Sequence, residues 1–154
     1  MTHSDLVRLG HRWLTSRGYT SFAEFATYSN ESPDVIGWKG GLSILIECKA
    51  SRGDFLSDGK KLARRCLYAL GRRRIYLCPW GMIQESELPP RWGLAWARGD
   101  RVFLRLGPSA FPQYDLMGEL RFMSSMLRRA DIRLGDDHIN DWLKWENRRT
   151  GAPD

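Results

Sequence analysis

Hydrophobic positions along the chain recur with two periods, and the changes of period mark the elements. Leu6, Leu9, Gly10, Trp13 and Leu14 form a helical stripe within residues 4–17, which Thr2 or Ser4 can cap and Gly18 can end. An aromatic, β-prone run follows, with a strand expected near residues 23–28 and a turn through Ser29-Asn30-Glu31-Ser32-Pro33. Val35-Ile36-Gly37-Trp38 reads as a short strand and Lys39-Gly40-Gly41 as a turn. From Leu42 the chain is apolar apart from Ser43 until it reaches Glu47-Cys48-Lys49, the pattern of a strand buried on both faces. A helix is expected over residues 54–71, with Asp54 as N-cap and Phe55, Leu62, Cys66 and Leu70 on one face. Gly71 closes it and a strand follows over residues 74–78, so strand, helix and strand make a right-handed crossover with a parallel pair. Leu94-Ala95-Trp96-Ala97 and the run from Val102 to Leu106 flank Arg98-Gly99-Asp100-Arg101, a hairpin. From Asp115 the period is helical again, with Leu116, Leu120, Met123, Leu127 and Ala130 in register, and a second helix is expected over residues 137–148.

These elements predict an α/β fold of order α-β-β-β-α-β on a mixed central sheet, with an added hairpin and C-terminal helices. The expected organisation is a core over residues 1–107, a helical extension packed on it over 108–149, and a disordered tail over 150–154. With 154 residues the chain can bury a sizeable core as one domain. Aromatics at 12% and seven tryptophans exclude a disordered chain. The net charge of +6 suits a polyanionic partner. No stretch approaches the ~20 apolar residues of a membrane span, and no signal peptide is visible, so a cytoplasmic protein is expected, nucleoid-associated or phage-encoded in a bacterial cell. Cys48, Cys66 and Cys78 are odd in number, lie in apolar runs and lack CxxC spacing, which reads as reduced core cysteines.

The chemistry concentrates where the chain doubles back. Side chains alternate along a strand, so Glu47 and Lys49 share one face and Cys48 takes the other. A carboxylate and an ammonium at the end of an apolar strand need a reason to be there. The hairpin can return Asp34 to the same end, giving two acids and a lysine in one place. Such a group can hold a divalent cation beside a built-in cation. The competing reading is a buried structural ion pair. Lys60, Lys61, Arg64 and Arg65 turn away from the apolar stripe of their helix, either to meet DNA phosphates or simply as a solvated face.

Pro33-Asp34, a spacer, then Glu47-Cys48-Lys49 resembles the signature of the PD-(D/E)XK nuclease superfamily. The continuation Ala50-Ser51, Asp54-Phe55, Asp58 and Lys60 resembles the small MmcB-like proteins linked to DNA repair, over roughly residues 5–107 and closely over 24–61. The resemblance implies a restriction-endonuclease-like core and a metal-dependent deoxyribonuclease. It implies Asp34 and Glu47 as ligands of Mg²⁺ (Mn²⁺ substituting), the Cys48 backbone carbonyl as a third, and Lys49 as the residue that orients or deprotonates the attacking water. Glu24, which MmcB-like proteins share, would complete the site and is preferred over Glu31. Ser51, Asp54, Asp58 and Lys60, with Lys61 and Arg64 beside them, would flank the site and meet DNA. RNA stays open as a substrate, as do a homodimer and a protein partner on the C-terminal helices. Two other functions also stay open: a non-catalytic DNA-binding repair scaffold, and a protein-interaction module on the same fold.

Overall fold

A computed structural model describes residues 1–23, 33–58 and 69–129. Among them the chain forms a mixed six-stranded sheet and three α-helices, an α/β fold. Helix α1 (His3–Thr15) leads into β1 (Thr20–Ala23), β2 (Val35–Lys39) and β3 (Leu42–Cys48). Helix α2 (Arg52–Asp58), β4 (Arg73–Pro79), β5 (Gly93–Arg98), β6 (Arg101–Leu106) and α3 (Leu116–Arg129) follow. A short 3-10 turn, Glu85–Glu87, lies between β4 and β5. The strands stand in sequence order across the sheet, antiparallel from β1 to β3, parallel from β3 to β5 and antiparallel at β5–β6. The chain divides into two compact units, Met1–Glu119 and Leu120–Asp154, and the first holds the whole sheet.

Local chemistry explains the element ends. Thr2 and Asp5 make a reciprocal capping box on α1, so two otherwise unsatisfied amide groups are bonded. The β2–β3 hairpin needs two residues at positive φ, and Gly40 (φ 55°) and Gly41 (φ 75°) adopt it without steric cost. At α2 the structure differs from expectation. The helix starts two residues before Asp54, and the Ser51 hydroxyl accepts from the Asp54 amide (3.2 Å), so Ser51 does the capping. The first described strand is Thr20–Ala23, in register with Trp38 to Val35, and all of the strand expected near residues 23–28 except Ala23 lies outside the described residues.

One face of the sheet packs on α1. Leu6, Val7, Leu9, Trp13 and Leu14 meet a floor that includes Ile44, Ile46, Cys48, Ile75, Leu77 and Ala95. On α3 the buried positions are Glu119, Phe122 and Met126, whereas Leu116, Leu120 and Leu127 are exposed. Of the positions expected in helical register from Asp115 onwards, Leu116, Leu120 and Leu127 are thus exposed, while Met123 is half-buried. Glu119 accepts from Trp38 Nε1 (2.9 Å), Ser43 Oγ (2.8 Å) and the Gly71 amide (2.9 Å). These bonds tie the first turn of α3 to the sheet. The expected second C-terminal helix, the tail, and the remainder of the 54–71 helix lie outside the described residues.

Candidate active site

The end of β3 enters the site from below. Glu47 pairs with Tyr76 in the parallel ladder, so the two side chains share the face opposite α1. Lys49 lies just past the strand, and its amide still donates to the Leu77 carbonyl (2.9 Å), which keeps its side chain on the Glu47 face. Three carboxylates surround its ammonium: Asp58 Oδ1 at 3.1 Å, Glu47 Oε2 at 3.6 Å and Asp54 Oδ1 at 3.9 Å. Lys49, Glu47 and Asp58 are 5%, 3% and 1% exposed, whereas Asp54 is 45% exposed and forms the open side of the cluster.

Helix α2 supplies both aspartates. With Ser51 capping the helix, Asp54 is released from that task and turns to Lys49. Asp58 stands one turn further on, on the same side. Its second oxygen accepts from the Tyr76 hydroxyl (2.9 Å). The Tyr76 ring stacks on Trp92 (centroids 4.3 Å apart, planes at 18°) and meets the Phe55 ring edge-on at 5.3 Å. Aromatic packing thus fixes Tyr76, Tyr76 fixes Asp58, and Asp58 fixes Lys49. The start of α2 is held separately, by the two-pronged bond of Arg52 to Glu87 (2.6 and 2.8 Å). That bond holds the Glu87 carboxyl below its ordinary range.

Asp34 reaches the same strand end from β2. Its Oδ2 accepts from the Cys48 amide (2.7 Å), and its Oδ1 lies 3.3 Å from His3 Nε2 at the start of α1. A strand residue directs its N–H and C=O to the same neighbour, so the Cys48 carbonyl faces the side on which Asp34 lies. Oxygen donors of this kind suit Mg²⁺, which needs one or two carboxylates and keeps waters of its own. Among the described residues no group of three or more His, Cys, Asp and Glu side chains is arranged to hold a metal ion. Cys78 stands next along the row from Lys49, and burial pushes its thiol up to about 11, so at neutral pH it is a protonated core group.

The structure therefore gathers Glu47, Lys49, Asp54 and Asp58 around one ammonium and brings Asp34 to the neighbouring Cys48 amide. Ser51 is exposed at the head of α2. Asp58, expected to meet DNA, is enclosed and serves Lys49 and Tyr76 instead. Arg74 is fully buried and donates to the carbonyls of Ala69, Leu70 and Gly71. Glu24, Glu31, Lys60, Lys61 and Arg64 lie outside the described residues. Sequence reading missed His3 and Tyr76. His3 gives no local signal, because it meets Asp34 only through the packing of α1. Tyr76 becomes a site residue only through the β3–β4 register.

No family model and no curated protein matches the chain. A solved structure with a similar fold is a protein of unknown function from Silicibacter pomeroyi, 23% identical, with a TM-score of 0.67 over 84% of this chain and 89% of that one. At that identity the likeness concerns the fold alone.

Proposed function

We propose that this chain is a metal-dependent deoxyribonuclease of the PD-(D/E)XK type, with α1, β1–β3, α2 and β4 as a restriction-endonuclease-like core. The observation that carries this reading is the end of β3, where Glu47 and Lys49 share one face 3.6 Å apart while Asp34 is bonded to the Cys48 amide between them. The element order and the antiparallel, antiparallel, parallel pairing from β1 to β4 support it.

In this reading Asp34, Glu47 and the Cys48 carbonyl would hold Mg²⁺. When bound, the ion would make a water more acidic and offset the charge that develops on the phosphate. Lys49 is an ammonium with three donors and no acceptor. It can donate to the attacking water or to a phosphate oxygen, so its part is to position and to neutralise. The carboxylates beside it are the groups able to take a proton. Asp58 and Tyr76 restrict where the ammonium stands, and Asp54 leaves the approach open on the solvent side.

The test is cleavage of labelled single-stranded, duplex and branched DNA with Mg²⁺ or Mn²⁺, against EDTA. Glu47→Ala and Lys49→Ala, each checked for folding by circular dichroism, should each lose about a hundredfold or more of the activity. Cutting that survives either substitution would sink the assignment. A non-catalytic DNA-binding protein is the second reading, favoured by the depth of Lys49, Glu47 and Asp58, since a buried ion network can serve only to hold α2 on the sheet. It predicts DNA binding that is indifferent to EDTA and no cut strand.

A further inference from the structure

The face of the sheet that carries Glu47 and Lys49 continues across β4, β5 and β6 to an exposed surface with a different chemistry. Cys78 pairs with Trp96, and Trp96 with Phe103, so these three share that face with Lys49 in one row. The next row holds Trp80, Arg98 and Arg101, because Trp80 continues the alternation of β4 and Arg98 pairs with Arg101. Trp80 is 48% exposed and Phe103 40%. The Trp80 ring lies 5.2 Å from Trp96 and 5.3 Å, edge-on, from Phe103. The Arg98 guanidinium stands 5.6 Å over the Trp80 ring and that of Arg105 4.7 Å over Trp96.

Neither feature is explained by stability. Two large rings half in water give up burial that a folded chain ordinarily takes. Like charges directly opposite on neighbouring strands, as Arg98 and Arg101 are, destabilise the pair. A ligand with flat apolar rings and a negative backbone answers both at once. Bases stack on exposed aromatic side chains in a sequence-tolerant way, and arginines beside them take the phosphates. In a duplex the base faces are already stacked on one another, so the fit is to unpaired bases.

We propose that Trp80 and Phe103, flanked by Arg98 and Arg101, form a stacking shelf for single-stranded nucleic acid. The shelf lies on the same face of the sheet as the Glu47–Lys49 end of β3. This deepens the nuclease reading and rests on it for what happens at the far end of the row. Lys49 and Phe103 are three strand spacings apart, roughly 14 Å at ~4.8 Å each. That span is about four nucleotides at the ~3.4 Å rise of a stacked strand.

The experiment is fluorescence anisotropy of labelled oligo-dT, oligo-rU and a duplex of the same length, titrated with the full chain in EDTA. Binding is thus read without cutting. Trp80→Ala should weaken single-strand binding by about tenfold and Phe103→Ala by several-fold, while Trp80→Phe retains most of it. The dT and rU arms say whether DNA or RNA is preferred. Leu104→Ala is the control: the residue is 49% exposed on the same strand, but its pairing with Ala95 turns it to the opposite face. The proposal falls if the wild type binds duplex as well as single strands, or binds neither. It also falls if Trp80→Ala binds like the wild type, or if Leu104→Ala loses as much. Sedimentation supplies one more way to overturn it: if Trp80→Ala disrupts self-association and leaves oligonucleotide binding intact, the shelf is a contact between two copies of this chain. If the shelf variants lose binding and the wild type cuts nothing with Mg²⁺, the nuclease reading fails and the shelf stands.

Discussion

Two buried cations sit on neighbouring strands of this sheet, and they are held by opposite means. Arg74 on β4 donates from Nε to the Leu70 and Gly71 carbonyls (3.0 and 3.1 Å) and from Nη2 to Ala69 (2.8 Å), with its guanidinium 4.1 Å over the Phe111 ring. Lys49 just past β3 is held by carboxylates, one of them half open to solvent. A planar fork bonded to carbonyls and laid on an aromatic ring is a fixed joint between the Ala69–Gly71 turn and the sheet. A compact ammonium among acids is an arrangement whose charge can be rebalanced by a proton, a cation or a phosphate. The lesson is that burial alone does not say what a cation is for.

Breaking the joint should have the larger effect on stability. Arg74→Met strips the carbonyls of buried donors and is expected to cost about 4 kcal/mol, read as a shift of the urea midpoint. Lys49→Met leaves buried carboxylates without their cation and should cost about 3 kcal/mol near neutral pH. The deficit should narrow as pH falls, since protonation removes the uncompensated charge. A deficit of the same size at pH 5 and pH 8 would mean that these carboxylates carry no charge for Lys49 to offset.

Tyr76→Phe keeps the stacking on Trp92 and removes only the hydroxyl that Asp58 accepts from. We expect about 1 kcal/mol, measured in the same way, and an unchanged midpoint would mean that Asp58 does not depend on Tyr76. The smallest effect belongs to the exposed cap of α1. The Thr2 amide and hydroxyl, with Arg8, hold the Asp5 carboxyl down at about 2. A lowered pKa contributes stability above the ordinary value of 3.8 and loses it as pH falls through about 2. Thr2→Ala should therefore lower the melting temperature slightly at neutral pH, and the difference from the wild type should fade as pH falls through about 2.

What could be read from the sequence was whatever a period or a turn residue encodes. The run from Leu42 to Cys48 is β3 residue for residue, and all of it after Leu42 is buried, Ser43 and Glu47 included. The Gly40-Gly41 turn and the Arg98–Arg101 hairpin followed from turn chemistry. Glu47 and Lys49 could be placed on one face because alternation is strict. The errors came where polar residues do structural work. Leucine spacing gave no sign that Glu119, a polar residue, is the buried tie between the first turn of α3 and the sheet. Asp54 looked like a cap because Ser51, three residues earlier, is an equally good one. Asp58 was expected to flank the site and meet DNA, and its buried partners Lys49 and Tyr76 lie on other elements where local sequence gives no sign of them.

Glu119 also binds the sheet to the chain that follows it. Its carboxylate receives the Trp38 indole, the Ser43 hydroxyl and the Gly71 amide, while Ser43 itself accepts from the Arg72 amide (2.8 Å). Two strands and the entry to a third thus converge on one acid that arrives after the last strand is complete. A chain ending at Leu106 would contain every described strand of the sheet and lack the acceptor that these donors share. The compact unit that holds the sheet accordingly runs on past the last strand, to Glu119.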